Sequence, residues 1–447
     1  MAIARPANPA VAAARVVAPA APARAADEKW DMLLVCIAGY FLASVGRVHE
    51  LFPVLQILRP AVVGGLLAIG LSLFDGRPVR RWGRVFVPTT KLLLLFLAWI
   101  VLCIPFALWV ANSVDLLVQG FIKTVLMYFV VAAAVRNVRD VERLSVVYFL
   151  AASLYAGMVI ARFDIGAGAA WRLGRLYYYD ANDFATYAVT AVPLGLYWLH
   201  SARRTASRLV GMLGLMVLVL GIVRAGSRGG FLALTAVIAF VLVRYTVIPL
   251  RWRLLSTSLI LVLFFATTSR QFWHEMDAVV SGTDYNLKEE TGRLEVWRRG
   301  LHYIADNPIF GVGANNFGMA EGTLSEFASR QQYGIGVRWT AAHNSYLQVA
   351  VELGIPGLVL FLALIVSALK VLRRPRRVGR AIPPAAGERP QLAQALMASL
   401  IGFLVGAFFL SLGYSEMFYM LVALAVGLWK VTAEDSRPAG VTPAPRR

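Results

Sequence analysis

The chain has 447 residues, of which 59% are hydrophobic and only 15% charged, and its formal net charge is +19. A mean hydropathy of +0.65 excludes an ordinary soluble domain, because such domains are less apolar and carry more charge. The two cysteines, Cys36 and Cys103, fall within apolar segments and imply no disulfide framework. We therefore expect an integral membrane protein.

Apolar segments recur along the whole chain, and many approach the roughly 20 residues that a helix needs to cross a bilayer. Runs such as residues 91–99 do not alternate polar and apolar residues, as strands of a membrane barrel would. The expected fold is an all-α integral membrane protein with about twelve transmembrane helices. The predicted spans are 31–46, 53–73, 88–110, 117–135, 144–161, 183–200, 209–223, 229–248, 254–269, 343–369, 392–411 and 416–432.

The positive charge could suggest a nucleic-acid partner, but its distribution indicates membrane topology instead. With the N-terminus inside, the inside segments hold 29 of the 44 Lys and Arg residues, as the positive-inside rule expects. The loop before the tenth span then lies outside, and we predict no nucleic-acid partner. The predicted organisation is a disordered cytoplasmic tail, helices 1 to 9, an outer loop domain, helices 10 to 12 and a second tail, over residues 1–29, 30–269, 270–342, 343–432 and 433–447.

Residues 171–183, just before the sixth span, combine aromatic, arginine and carboxamide side chains. One interpretation is an aromatic belt at the membrane surface followed by an Asn/Asp helix cap. The other is a surface that faces sugars, because tyrosines stack on sugar rings and carboxamides form hydrogen bonds with hydroxyl groups. Tyr179 and Asn182 are therefore candidates for contact with a glycan.

Residues 224–230, Arg-Ala-Gly-Ser-Arg-Gly-Gly, connect the seventh and eighth spans on the outer side, against the general charge bias. They can form a glycine turn whose arginines reach towards the membrane surface. They can also form an anion site, because glycines let backbone N–H groups approach a ligand and a helix N-terminus adds positive charge. In that case Arg228 offers a guanidinium fork that suits phosphate oxygens.

The long outer loop carries two further motifs and ends at His343. Residues 291–300, which include Arg293, are predicted to form a short amphipathic helix, and residues 307–317 a turn rich in glycine and asparagine. A lone histidine at a membrane surface is more often a cap than a catalyst, but the polar residues that follow it favour a functional role.

Asn344, Gln348 and Glu352 recur every four residues and are predicted to share one helix face. On a continuous helix, Glu352 would lie about 13 Å deeper than His343 and about half a turn away. We therefore expect Glu352 to be a buried partner for another helix rather than the group that orients His343.

The sequence gives little support to metal or nucleophilic catalysis. The outer face has no Asp-x-Asp motif, and the spacing of Asp180 and Asp183 suits helix capping. His274, Glu275 and Asp277 suit a solvated helix, and no Gly-x-Ser-x-Gly elbow is present. We predict a site with no metal and no cofactor.

The order of these motifs resembles the O-antigen ligase family of bacterial polysaccharide assembly, which includes related O-antigen polymerases and protein O-oligosaccharyltransferases. The resemblance covers roughly residues 170–370, and its most specific part is the segment that begins at His343. The matching residues are Ser227-Arg228-Gly229-Gly230, Gly292-Arg293 with Trp297, Asn307-Pro308 with Gly311-Val312-Gly313, and His343-Asn344-Ser345 with Glu352-Leu353-Gly354-Ile355-Pro356-Gly357.

The resemblance implies a multi-pass glycosyltransferase of the bacterial inner membrane, with a large helical periplasmic loop and a periplasmic active site. The donor would be a glycan on undecaprenyl diphosphate, and the favoured acceptor is lipid A–core. His343 resembles the family's essential loop histidine, which would act as the general base. Arg228 and Arg293 resemble the donor-binding arginines, which would replace a metal ion. Asn344 joins Tyr179 and Asn182 as a possible acceptor or sugar contact.

Several alternatives remain open at this point. A polymerase would use the same donor with a second lipid-linked glycan as acceptor, and a protein O-oligosaccharyltransferase would use a protein. A polytopic transporter or lipid flippase belongs to a different class and predicts internal repeats and ionisable groups near the midplane. In this chain the charges crowd at the predicted outer mouth, and those within spans are sparse, as at Lys123. The sequence therefore favours a transferase.

Overall fold

The computed structural model describes residues 29–47, 49, 52–162, 173, 179–245, 248–281, 292–329, 340–373 and 388–435. These residues are mainly helical and form no strand, so the predicted all-α membrane fold is confirmed. The described residues from Met32 onwards form one compact unit. The predicted N-terminal tail, most of the tyrosine-rich segment and most of the second tail lie outside the described residues.

The helices follow one another in the order of the predicted spans. The first part of the described chain contains α1 (Met32–Tyr40), α2 (Pro53–Ile57), α3 (Pro60–Leu73), α4 (Pro88–Cys103), α5 (Val110–Asp115), α6 (Ile122–Ala134), α7 (Val138–Arg162), α8 (Ala181–Ser201) and α9 (Thr205–Ala225). The second part contains α10 (Arg228–Arg244), α11 (Leu250–Thr267), α12 (Arg270–Val280), α13 (Arg293–Asp306), α14 (Phe317–Thr323), α15 (Ser345–Val371), α16 (Glu388–Ala407) and α17 (Glu416–Asp435).

Eight helices in the described part of the chain are long and apolar enough to cross a membrane, and the segments Met32–Val45 and Pro60–Leu73 are shorter apolar helices. α8 and α10 occupy the sixth and eighth predicted spans. Each of the twelve predicted spans thus contains helix, because runs of apolar residues satisfy their backbone groups in this way inside a bilayer. The number of helices that cross the bilayer stays a prediction.

α8 is one of the most enclosed helices of the bundle. It packs against α7, α9, α10 and α16, and its residues from Phe184 to Tyr197 are all buried. α17 packs against α6, and α15 packs against α4. At one end of the bundle, the Tyr179 hydroxyl donates to the Val45 carbonyl at 2.7 Å and the Ser345 hydroxyl to the Leu410 carbonyl at 2.7 Å. This end, which we call the loop end, therefore brings together parts of the chain that are far apart in sequence.

Two membrane helices widen into one turn of π-helix, at Phe41–Val45 after α1 and at Leu116–Phe121 between α5 and α6. Such widened turns leave backbone groups less regularly paired and frequently mark functional positions. Both turns contribute residues to a single polar cavity, which is described below.

The described parts of the 270–342 loop fold as helices around a small core of their own. The predicted amphipathic helix over residues 291–300 is confirmed as α13. Its apolar face, with Val296 and Tyr303, packs on Phe317, Ala342 and Val351. Beside this core, Arg299 forms a buried ion pair with Glu321 at 2.6 Å, and the Tyr303 hydroxyl donates to the same carboxylate at 2.9 Å. The described residues of this loop thus form a packed unit.

Candidate active site

His343 lies outside the helix that the sequence predicts for it. α15 begins at Ser345, and the Asn344 side-chain oxygen accepts hydrogen bonds from the N–H groups of Tyr346 and Leu347, at 2.9 and 3.1 Å. Asparagine is a preferred residue for this capping role, since its side chain satisfies the free N–H groups of the first turn. The predicted helix start at residue 343 is therefore wrong, and the helical offset between His343 and Glu352 does not apply.

The backbone of His343 is held in a left-handed conformation with φ of 47°. Its N–H donates to the Ser411 hydroxyl at 3.0 Å. The neighbouring Ser345 hydroxyl accepts from the N–H of Leu412 at 2.8 Å, besides its bond to Leu410. The start of α15 is thus fixed on the connection between α16 and α17, which positions His343 by its backbone and leaves the side chain outside these contacts.

Two charged residues act on the half-buried imidazole of His343. Burial lowers the pKa of His343 below its ordinary value, and the nearby Arg293 guanidinium lowers it further, while the Asp180 carboxylate raises it. A lowered pKa favours the neutral form of the ring near pH 7, which is the form that accepts a proton. The arrangement can therefore perform base catalysis.

Arg293 is the first residue of α13 and is half-buried. One turn later, the Trp297 indole N–H donates to the Ala342 carbonyl at 3.0 Å, and the Trp297 ring meets Phe408 edge to face at 5.5 Å between ring centres. These contacts join α13 to the residue before His343. They explain why Arg293 lies close enough to His343 to influence its charge.

Arg228 is the first residue of α10, and Ser227 caps that helix by accepting from the Gly230 N–H at 3.0 Å. Gly229 packs so tightly on Phe409 that an added Cβ would lie 2.9 Å from the Phe409 Cβ. The N-terminus of α10 therefore lies against the same connection that holds His343. Two helix N-termini, each beginning with an arginine, converge on this connection and favour an anionic ligand there.

The other three candidates have structural partners. The Tyr179 ring is buried and stacks on Tyr187 with 5.5 Å between ring centres, besides the bond of its hydroxyl to Val45. Asn182 is half-buried in the first turn of α8, where its N–H donates to the Asp180 carboxylate at 2.7 Å. Asp180 thus caps α8, and Asn344 caps α15, so the capping interpretation applies to both segments.

Glu352 binds loop backbone and a tyrosine instead of the neighbouring helix that the sequence suggests. Its carboxylate accepts from the N–H groups of Asn315 and Phe317, at 2.9 and 3.3 Å, and from the Tyr414 hydroxyl at 2.8 Å. The side chain is 1% exposed, so these bonds replace the water that the carboxylate loses on burial. Glu352 therefore ties residues 315–317 of the loop to the α16–α17 connection.

Gly354 interrupts α15 with φ of 68° and ψ of −175°. The kink frees the carbonyls of Val351 and Glu352, which accept from the N–H groups of Val312 and Gly313, both at 2.9 Å. On the other side of the kink, the Ile355 N–H donates to the Pro308 carbonyl at 2.8 Å. The two glycine-containing motifs recognised in the sequence, residues 307–313 and 352–357, are therefore the two halves of one backbone-paired module.

Sequence reasoning missed the contribution of the α16–α17 connection. Ser411 holds the His343 backbone, Tyr414 binds Glu352, and the Gly413 N–H donates to the Gln348 side-chain oxygen at 3.2 Å. A signal was present, because residues 411–416, Ser-Leu-Gly-Tyr-Ser-Glu, are a short polar run between two apolar spans. The influence of Asp180 on His343 had no such signal, since it arises only from folding.

A cavity of about 380 Å³ opens beside these residues, within the range of small-molecule sites. Its lining includes Ala341 and Ala342, which directly precede His343, and Ser411, which binds the His343 N–H, as well as Gln348 and Glu352. Among the described residues no group of three His, Cys, Asp or Glu side chains could hold a metal ion. The polar side chains that line the cavity carry amides, hydroxyls and the Glu352 carboxylate, and His343 directly follows the lining residue Ala342 in the chain.

Comparison with known proteins bears on the part of the chain that carries this site. The family model described as O-antigen ligase matches residues 211–362, about one third of the chain, and this range includes Arg228, Arg293 and His343. No curated protein matches the chain. The match over residues 211–362 supports an O-antigen ligase family and a membrane glycosyltransferase of the O-antigen ligase or polymerase type.

Proposed function

We propose that the protein is an O-antigen ligase, which transfers a glycan from undecaprenyl diphosphate to a hydroxyl group of lipid A–core. The observation that carries the proposal is the convergence of His343, Arg228 and Arg293 on the α16–α17 connection, beside a cavity of about 380 Å³. The charge bias of the sequence supports a periplasmic location for this end of an inner-membrane protein.

Arg228 and Arg293 bind the donor diphosphate. Each begins a helix, so the guanidinium and the free N–H groups of the first helical turn act on the same anion. Negative charge grows on the diphosphate as its bond to the sugar breaks, and fixed positive groups stabilise that charge without further rearrangement. The arginines thus supply what a metal ion supplies in other transferases.

His343 accepts the proton of the acceptor hydroxyl. The acceptor oxygen forms a bond to the anomeric carbon, the bond from that carbon to the diphosphate oxygen breaks, and the proton passes to the imidazole and then to solvent. Because this is one displacement, the configuration at the anomeric carbon inverts. Burial and Arg293 keep the pKa of His343 low, so the ring is ready as a base at neutral pH.

The first prediction is that purified protein transfers glycan without a metal ion. Protein reconstituted with undecaprenyl-diphosphate glycan and rough lipopolysaccharide should form glycan-bearing lipopolysaccharide in excess EDTA, because two arginines supply the positive charge. The product is measured by gel and by mass spectrometry of the released core. A control reaction receives magnesium or manganese after EDTA.

Activity that EDTA abolishes and a metal restores would contradict the arginine mechanism and point to Asp180, Asp183 or Asp277 as ligands. If the product is a longer lipid-linked glycan and the lipopolysaccharide stays unmodified, the protein is a polymerase and not a ligase. Transfer to protein alone would assign the chain to protein O-glycosylation. Transport of the lipid-linked donor without any new glycosidic bond would contradict the transferase function.

The second prediction concerns the pH dependence of the reaction. The Asp180 carboxylate raises the pKa of His343, so Asp180→Asn should lower that pKa and move the acidic limb of kcat/KM to lower pH. Asparagine caps a helix as well as aspartate does, so α8 should remain intact. Asp306→Asn, an exposed change at the end of α13, is the matched control and should leave the profile in place. A shift to higher pH, or equal shifts in both variants, would contradict the assignment of the titrating group.

A further inference from the structure

A second cavity of about 560 Å³ lies next to the first and reaches into the bundle from the α16–α17 connection. Asn315, Gln348 and Ser411 line both cavities. The arginine helices α10 and α13 meet the connection at Phe408 and Phe409, whereas the second cavity meets it at residues 411–417. Ser411, which binds the His343 N–H, therefore lies between the part of the connection that contacts the arginine helices and the part that lines the second cavity.

Both π-helical turns line this second cavity. Ser44 and Val45 come from the first turn, and Gln119 and Gly120 come from the second. Irregular backbone at membrane depth is tolerated where it lines a polar cavity, because water or a ligand can then satisfy its groups. Two independent helices widen at the same place, which indicates a built site rather than a packing fault.

Ionisable side chains of both kinds, basic and acidic, line the cavity. Arg47 and Lys123 contribute two positive charges, and Asp183 and Glu416 can contribute two negative charges. The Glu416 carboxylate accepts hydrogen bonds from the hydroxyls of Tyr40 and Ser44, and the Lys123 ammonium donates to the Gln119 side-chain oxygen at 3.1 Å. Ionisable groups inside a membrane protein are costly and are a functional-site hypothesis by default.

The chemistry of this lining suits a polyhydroxylated ligand. A simple anion would meet two acidic side chains as well as two cations, so this mixed lining suits it less well than a purely basic site would. Sugar hydroxyls both donate and accept, and they can bind carboxylates, cations and amides together. Phe121, Tyr179 and Tyr414 also line the cavity and make part of its wall apolar, as the apolar faces of a sugar require.

We propose that the cavity framed by the two π-helical turns is a sugar-binding subsite, which holds the acceptor sugar whose hydroxyl His343 deprotonates. The inference rests on the proposed transferase function and assigns a place to its acceptor. The donor diphosphate occupies the arginine side, and the acceptor approaches from the cavity side, so the two substrates meet at His343. Most of the lining lies outside residues 211–362, in the two π-helical turns, the first turn of α6, the start of α8, the α16–α17 connection and the start of α17.

Lys123→Met tests the polar contacts of the subsite. Lys91→Met is the matched control, because Lys91 is also exposed on a membrane helix and lies outside the cavity lining. Reconstituted full-length protein should show an acceptor KM raised about tenfold or more by Lys123→Met, the loss expected for one hydrogen bond to a charged group. The donor KM should stay unchanged, and Lys91→Met should change neither.

Gly120→Leu tests the volume of the subsite without removing a charge. An added Cβ at Gly120 meets only the Leu116 side chain, at 3.9 Å, so the larger residue has room at its base. Gly70→Leu is the control, since a Cβ there meets nothing within 4 Å and Gly70 lies in α3 away from the cavity. Gly120→Leu should raise the acceptor KM by about tenfold or more, and Gly70→Leu should not.

Direct binding separates this inference from the proposed function. Core oligosaccharide, freed from lipid A, is titrated into the full-length protein in detergent and followed by calorimetry. Binding that Lys123→Met and Gly120→Leu weaken supports the subsite, even if the protein fails to transfer glycan. Normal acceptor KM and normal oligosaccharide binding in both variants would overturn it, while transfer itself persists. A raised donor KM with normal acceptor KM would assign the cavity to the donor and overturn the proposed arrangement.

Discussion

His343→Ala is expected to lose about 10²–10⁴-fold in turnover while affinity for the lipid diphosphate stays largely intact, because a positioned general base contributes a factor of this size. The structure gives a reason to expect a folded variant. Ser411 holds the backbone N–H of residue 343, which alanine retains. The measurements are glycan transfer, donor binding and the melting temperature of detergent-extracted protein.

Arg228→Ala and Arg293→Ala should instead weaken donor binding as well as turnover, since each removes a charge-assisted contact to the diphosphate. Lysine at either position should rescue only part of the loss, because it keeps the charge and lacks the guanidinium fork. Arg293→Ala has a second expected effect. Without the guanidinium, the pKa of His343 should rise, so the residual activity should move to higher pH.

His343→Asn is the control for backbone strain, because asparagine, like histidine, tolerates the left-handed conformation better than alanine does. Both variants should lose the same turnover if His343 is the base. Near-normal transfer by His343→Asn would remove the histidine mechanism. A collapsed melting temperature in both variants would return His343 to a purely structural role.

The helices could be predicted from the sequence because their cause is local. A bilayer demands about 20 apolar residues whose backbone bonds close within the segment, so hydropathy alone placed helix in each predicted span. α13 was also predictable, since Val296 and Tyr303 recur on one face of a short polar segment. The start of α15 was misplaced by two residues, although Asn344 is a capping residue and could have indicated the boundary.

The assembly of the site could be predicted only in part. The motifs around Arg228, Arg293 and His343 are visible in the sequence, but their common platform at residues 408–413 is not. The widened turns at Phe41–Val45 and Leu116–Phe121 carry no sequence signal that we recognised, and the cavity they share is formed by distant parts of the chain. Contacts of this kind depend on packing between helices rather than on local preference.

The pairing of residues 307–313 with the kink in α15 was less predictable than the helices and more predictable than the cavity. Gly354 and Pro356 indicate an irregular helix, and Gly311 and Gly313 indicate a turn. No pattern in the sequence indicates that the carbonyl groups freed by the kink accept hydrogen bonds from the N–H groups of the turn. A structure was needed to see that each motif supplies the hydrogen-bonding groups that the other leaves unpaired.

Gly354→Ala is expected to unfold this module and to abolish activity although residue 354 carries no functional group. A Cβ at this position would lie 2.1 Å from the Ile309 carbonyl oxygen, and φ of 68° is unfavourable for any residue with a side chain. The atoms nearest to this Cβ all belong to the backbone of Pro308 and Ile309, so no flexible side chain can move to relieve the overlap. The expected loss of stability is about 3 kcal/mol or more, from strain, overlap and the broken bonds of the kink.

Gly311→Ala should act in the same way, since its Cβ would lie 2.5 Å from the Val351 carbonyl oxygen at φ of 68°. Gly318→Ala is the matched control, because its Cβ would meet only the Thr340 carbonyl at 3.9 Å and alanine favours the helix α14. Melting temperature and glycan transfer are measured for all three. The module holds Glu352 in place, so stability and activity should both fall in Gly354→Ala and Gly311→Ala. Gly318→Ala should change neither. A stable, active Gly354→Ala protein would show that the kink does not hold the site.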